Sequence, residues 1–72
     1  MYFIVGEIYE NLLTGRHVKV DSSEDTEDGF YLEVQEVDPV TMKHLFHNVV
    51  SIKKEEFYHW ELVELVKNVE NK

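Results

Sequence analysis

The pattern of apolar and polar residues predicts a protein made mainly of β-strands. Alternation of apolar and polar residues, the pattern of a strand with one buried face, is clean in residues 16–21 and continues through most of residues 30–37. Residues 44–52 are rich in Val, Ile and Phe and place Phe46, Val50 and Ile52 on one face, with Asn48 as an exception. A fourth run, residues 2–5, is rich in β-favouring residues and ends at Gly6. We therefore expect an antiparallel sheet, with short turns between these segments.

The phase of the alternation predicts which side chains form the core. In the middle segment Phe30, Leu32 and Val34 share one face, whereas Glu36 and Val37 fall out of phase, which indicates a bulge or the strand end. The predicted core comprises Ile4, Ile8, Val18, Val20, Phe30, Leu32, Val34, Phe46, Val50, Ile52, Phe57, Trp60 and Leu62.

The connections are marked by turn-forming residues and by one acidic run. Residues 21–29 contain no apolar residue and predict an acidic loop, and residues 38–41 predict a proline turn. The C-terminal part allows two interpretations. We favour one helical turn near residues 53–58 followed by a last strand, and the alternative is a continuous helix over residues 53–69, which would make the fold α+β.

This order of strands, turns and one helical turn is the layout of a five-stranded SH3-like barrel. The segments VGEIYE at residues 5–10, TGRHVKV at 14–20 and VSIKKEEFYHWELV at 50–63 resemble short phage and prophage proteins of uncharacterised function. The resemblance implies that Phe57 plugs one end of the barrel and that a strand led by Trp60 closes the sheet. It implies no catalytic residue.

The length and composition limit the function. With 72 residues the chain forms a single small domain, residues 1–72, with a thin core and no room for a large substrate cavity. The absence of cysteine excludes disulfides and thiol chemistry, and it favours a cytoplasmic protein. No phosphate-binding glycine loop or nucleophile arrangement is visible, so we expect neither an enzyme nor a cofactor.

The charge is the most informative feature. The net charge is −8, and residues 21–40 hold eight acids and no lysine or arginine. This excess argues against direct binding to nucleic acid and to anionic membranes, and it favours a protein partner. The predicted partner-binding residues are Asp21, Glu24, Asp25, Glu27, Asp28, Tyr31 and Glu33.

Carboxylates in such a row can imitate the phosphates of nucleic acid. The sharpest hypothesis is therefore a phage or mobile-element inhibitor of a nucleic-acid-handling protein. The alternative is an accessory or structural module, or a homodimer formed through an unpaired strand edge, whose acidic loop confers solubility. A second expectation for the contact surface is an exposed aromatic patch of Tyr9, Tyr31 and Tyr58, against the alternative that these tyrosines line the rim of the fold.

Metal sites fit the sequence poorly. When Gly29 is aligned with the glycine of a calcium-binding loop, Gln35 stands where a bidentate glutamate is required. His44 and His47 are three residues apart in a predicted strand, which places them on opposite faces. We therefore predict no metal.

Overall fold

A computed structural model describes residues 3–63 and shows five antiparallel strands with little helix. The elements are β1 (Ile8–Asn11), β2 (His17–Asp25), β3 (Gly29–Val37), β4 (His44–Lys53), a 3₁₀ helix (Lys54–His59) and β5 (Trp60–Leu62). They form one sheet in the order β4-β3-β2-β1-β5. Within residues 3–63, no helix is both long and apolar enough to cross a membrane.

The mainly β fold and the helical turn before the last strand are confirmed, but the closed SH3-like barrel is not. β4 and β5 lie at opposite edges of the sheet, and no ladder joins them within the described residues. The alternative helix over residues 53–69 is wrong at residues 60–62, where Trp60 begins a strand paired with β1. The rest of that alternative, residues 64–69, lies outside the described part.

The predicted first strand at residues 2–5 is wrong for its described residues, because the chain turns there. The amide of Glu7 donates to the carbonyl of Ile4 at 3.1 Å, and Gly6 adopts a left-handed φ of 94°. This conformation is accessible to glycine at little cost. The first strand therefore begins at Ile8.

The predicted acidic loop at residues 21–29 is shorter than expected. β2 continues to Asp25 and β3 begins at Gly29, so only residues 26–28 form the turn. An antiparallel ladder is held by backbone hydrogen bonds and can extend through polar residues whose side chains remain in water. Residues 22–25 are therefore strand residues, although their polar composition led us to expect a loop.

The core is an aromatic cluster on the inner face of the sheet, centred on Phe3. The ring of Phe3 packs edge-on against Tyr9 at 4.9 Å, Phe30 at 5.5 Å, Phe57 at 5.9 Å and Trp60 at 6.2 Å between centroids. Such pairs add about 0.5–1.5 kcal/mol each beyond the area they bury. Phe3 thus joins the N-terminal segment, β1, β3, the 3₁₀ helix and β5.

The predicted core is correct in β2 and β3 and wrong in β1. In β1 the phase is opposite to the predicted one, so Tyr9 is buried and Ile8 is only partly buried. Before β1, Phe3 is buried and Ile4 is exposed. The amide of Ile4 donates to the Tyr9 hydroxyl at 2.8 Å, which holds Phe3 over the sheet. Two more predicted core residues, Phe46 and Leu62, are exposed, since they lie near the ends of their strands. The remaining predicted core residues are buried or partly buried.

Gly29 allows β3 and β4 to approach closely beside the hairpin turn. A Cβ atom built at this position would collide with the backbone carbonyl oxygen of Ile52 and would lie 2.9 Å from the Cα of Lys53. Backbone atoms cannot move aside as a flexible side chain does. The start of β3 therefore requires a residue without a side chain.

We predict that Gly29→Ala destabilises the protein by about 2–3 kcal/mol, because the two strands must separate. The matched variant Gly6→Ala meets no atom within 4 Å. It carries only the left-handed backbone cost, about 1 kcal/mol. Urea unfolding of both variants measures the difference. Equal stability of the two variants would contradict a close approach at Gly29.

The β3–β4 connection is organised by the carboxylate of Asp38. It accepts hydrogen bonds from the amides of Val40, at 2.7 Å, and Thr41, at 3.0 Å. The amide of Met42 donates to the Asp38 carbonyl at 2.7 Å. Hydrogen bonds from the Thr41 and Val40 amides lower the pKa of Asp38 from its ordinary value of 3.8, since they favour the ionised form.

We predict that Asp38→Asn loses the charge-dependent part of this stabilisation. The pKa of Asp38 is lower in the folded state, so the carboxylate stabilises the fold above its unfolded pKa, and the effect disappears as pH falls through the folded pKa. The wild type should exceed the variant in urea midpoint at about pH 6, and the difference should be lost at a pH below the folded pKa. Asp38→Ala, which also loses the acceptor, should remain less stable at both pH values.

Candidate functional site

A β-bulge at Asp21 determines which acidic side chains face outward. The pairing of β2 with β3 shifts between Val20, which lies opposite Val34, and Ser22, which lies opposite Glu33. The extra residue reverses the inward and outward alternation beyond it. As a result, Ser22 and Glu24 lie on the outer face instead of the core face.

Beyond the bulge, two cross-strand pairs bring predicted partner-binding residues together. Glu24 lies opposite Tyr31, and Ser22 lies opposite Glu33 on the neighbouring strand. Side chains directly opposite one another on a face are about 4.5–5.5 Å apart at Cβ. Tyr31, 42% exposed, therefore has Glu24 as its cross-strand neighbour and Glu33 as its neighbour two residues along β3. We call these three residues and the carboxylates of the adjoining turn the acidic hairpin.

The turn between β2 and β3 carries further carboxylates and is well anchored. The Thr26 amide donates to the Gly29 carbonyl at 2.8 Å, and the Thr26 hydroxyl accepts from the Gly29 amide at 3.0 Å. The Lys54 amide donates to the Asp28 carbonyl at 2.8 Å. Glu27 and Asp28 are thus held at the tip of the hairpin, where both are exposed to solvent.

Asp21 and Asp25 contribute less to this surface than the sequence predicts. The carboxylate of Asp21 accepts a hydrogen bond from Gln35 Nε2 at 3.2 Å and lies 3.7 Å from Nδ1 of His47. Asp25 lies opposite Phe30, a residue of the core face. Asp21 is therefore engaged within the sheet, and Asp25 lies toward the opposite face from Glu24.

The β4 side of the acidic hairpin is not acidic. A shallow depression of about 280 Å³ at the tip is lined by Glu27, Asp28, Lys53, Lys54 and Glu55. Farther along the outer face, Val49 lies opposite Glu33 and His47 lies opposite Gln35. The negative surface therefore ends at β3, and a partner that covers the whole outer face also meets apolar and basic side chains.

The predicted aromatic patch of Tyr9, Tyr31 and Tyr58 does not form. Tyr9 is buried in the core, whereas Tyr58 is 75% exposed on the 3₁₀ helix, where its ring lies 4.2 Å from that of His59. Only Tyr31 lies on the outer face beside the acids. Of the three tyrosines, Tyr31 alone contributes an aromatic ring to the predicted contact surface.

The structure also brings together a polar group that the sequence reasoning missed. Glu36 continues the phase of Phe30, Leu32 and Val34, so its carboxylate lies on the inner face, and its side chain is only 6% exposed. Asn48 Nδ2 donates to Glu36 Oε2 at 2.9 Å, and the Arg16 guanidinium lies 3.3 Å from the same oxygen. The sequence does carry a sign of this group, because Glu36 is a charged residue at a position where the alternation of β3 predicts a buried side chain.

A cleft of about 190 Å³ opens beside Glu36. Its apolar lining comes from Val18, Val50 and Trp60, and its polar lining comes from side chains of β1, the following turn, β3 and β4. It lies on the inner face, on the opposite side of the sheet from the acidic hairpin. Residues 3–63 contain no group of three histidine, aspartate or glutamate residues that could hold a metal ion.

Comparison with protein-family models, with curated proteins and with solved structures finds no match for this chain. The resemblance to short phage and prophage proteins stays a prediction. The arrangement of the side chains is therefore the basis for a functional proposal.

Proposed function

We propose that the chain is a small, non-enzymatic protein-binding module that contacts a basic surface of another protein through the acidic hairpin. The observation that carries the proposal is the bulged register of β2 and β3, which places Glu24 opposite the exposed Tyr31, on the same face as Glu33. A partly exposed tyrosine surrounded by polar residues is a common anchor of protein interfaces.

The charge distribution supports a basic partner. Residues 21–40 carry a charge of −8, which is the whole net charge of the chain, because the acids and bases in the remaining residues balance. Four of the acids in this stretch are exposed at the hairpin: Glu24, Glu27, Asp28 and Glu33. A concentrated charge of one sign accelerates the encounter with an oppositely charged surface and makes association sensitive to salt. Affinity would then depend on the close contact made by Tyr31.

The most specific form of the proposal is inhibition of a nucleic-acid-handling protein by imitation of phosphates. Duplex DNA presents about one negative charge per 1.7 Å of its axis, and proteins that bind it carry basic grooves. An acidic hairpin with a short, anchored turn can occupy such a groove. We infer a phage or mobile-element origin and a cytoplasmic site of action from the sequence resemblance and the lack of cysteine.

The second candidate function is a homodimer formed through β4, and the exposed edge of the sheet favours it. β4 has ten residues, pairs only with β3 within the described chain, and carries the exposed side chains of Leu45 and Val49. Unpaired strand edges of this kind add a strand from another chain. Sedimentation over a wide range of concentrations tests this candidate, and a strict monomer would remove it.

We predict that Tyr31→Ala weakens capture of the partner by about 2 kcal/mol, or roughly thirtyfold, because it removes the interface anchor. Immobilised protein captures partners from a lysate of the organism that encodes the chain, and the amount of each captured protein is compared between variants. Tyr58→Ala is the matched control, since it removes a more exposed tyrosine outside the hairpin. Equal capture by the two variants would refute the proposed anchor.

We also predict that the triple variant Glu24→Gln, Asp28→Asn, Glu33→Gln reduces this capture at least tenfold at low salt. Three exposed ion pairs at about 0.5–1 kcal/mol each account for that loss. A triple variant with the same change of charge elsewhere, Glu7→Gln, Glu10→Gln, Glu61→Gln, should retain most of the capture. If both triple variants lose it equally, net charge rather than the hairpin mediates binding.

A further inference from the structure

The carboxylate of Glu36 has one engaged oxygen and one open oxygen. Both of its polar contacts, from Asn48 Nδ2 and from the Arg16 guanidinium, converge on Oε2. Oε1 accepts no hydrogen bond from the described residues, and no buried polar side-chain atom in that part of the chain lacks a partner. Oε1 is therefore accessible, and Glu36 lines the cleft.

Other acceptors around the cleft are already used. The Asn48 Oδ1 atom accepts from the Val49 amide at 2.8 Å, and Asn11 Oδ1 accepts from the Leu13 amide at 2.9 Å. The Thr14 hydroxyl accepts from the Arg16 amide at 3.2 Å. The available acceptor of the cleft is thus a carboxylate oxygen on a side chain that is largely removed from water. Such an oxygen favours a ligand that donates charged hydrogen bonds.

The size and walls of the cleft suit one long side chain. At about 190 Å³ it is smaller than the pockets of about 300–1,000 Å³ that hold most small molecules and cofactors. Val18, Val50 and Trp60 offer apolar surface for an aliphatic stem. A stem of methylene groups with a charged, planar end fits both parts of this lining.

Arg16 shows which charged end the carboxylate accepts. Its guanidinium lies 3.3 Å from Oε2 through one nitrogen, although its side chain is 57% exposed. A guanidinium can bind both oxygens of a carboxylate with two parallel hydrogen bonds, which is stronger than a single contact. The Arg16–Glu36 pair therefore makes one of the two parallel hydrogen bonds that a guanidinium and a carboxylate can form. Because Arg16 is exposed, its side chain can leave Glu36 and move into solvent.

We propose that this cleft binds an arginine side chain of a partner protein, with Glu36 accepting its guanidinium through both oxygens and Arg16 acting as an internal competitor. The stem of the bound arginine packs on Val50 and Trp60. This site is separate from the acidic hairpin, because it lies on the other face of the sheet. It therefore goes beyond the proposed function and can fail independently of it.

The test uses the ¹⁵N-labelled full chain and N-acetyl-arginine amide as the probe. Titration followed by NMR should shift the indole N–H of Trp60 and the side-chain amide of Asn48 more than any resonance of the acidic hairpin. N-acetyl-citrulline amide, which has nearly the same shape and no charge, should produce no comparable shift. An equal response to both probes, or shifts confined to the hairpin, would overturn the proposal.

Two substitutions of opposite effect complete the test. Glu36→Gln should weaken binding of the probe at least tenfold, because an amide oxygen is neutral, whereas the charge-matched Glu61→Gln on the outer face should bind as the wild type does. Arg16→Gln should tighten binding about threefold or more, since it removes the competitor. If Glu36→Gln does not fold, Arg16→Gln decides alone, and unchanged or weaker binding in that variant would overturn the proposal.

Discussion

The structure of residues 3–63 depends on one constraint: these residues form a single sheet and supply no second layer to cover its inner face. Apolar side chains on that face must be removed from water by the curl of the sheet and by the few residues outside it. Phe3 supplies most of this cover, since its ring contacts four other aromatic rings from separate parts of the chain. The Ile4–Tyr9 hydrogen bond holds the segment that carries Phe3 in place.

Because the aromatic cluster occupies one part of the inner face, the rest of that face can hold polar groups. Glu36 is tolerated at a core position because Asn48 and Arg16 supply donors to its carboxylate. A buried carboxylate without such donors would be strongly destabilising. On the outer face, the bulge at Asp21 places Glu24 opposite Tyr31, and Glu33 follows Tyr31 two residues along β3.

The alternation of residues was sufficient to predict the central strands and their buried faces, including Val20, Leu32 and Val34. It was insufficient where neighbouring residues were both apolar, as at Phe3 and Ile4, because either phase then buries one large side chain. The bulge at Asp21 could not be predicted, since residues 22–25 contain no apolar residue to reveal the phase. Of the predicted acidic residues, Glu24, Asp25, Glu27, Asp28 and Glu33 are exposed and Asp21 is only partly exposed, and their division between two faces follows from that bulge.

The open edge of the sheet and the partly engaged carboxylate of Glu36 explain one another. The cleft is lined by Asn48 and Val50 of β4 on one side and by Trp60 of β5 on the other, and these strands are the two edges of the sheet in residues 3–63. Closure of the edges would seal Oε1 away from water without a donor, and an unsatisfied buried acceptor costs about 1–3 kcal/mol, more when it is charged. The open cleft avoids this cost because it leaves Oε1 in contact with water or with a molecule that brings a donor.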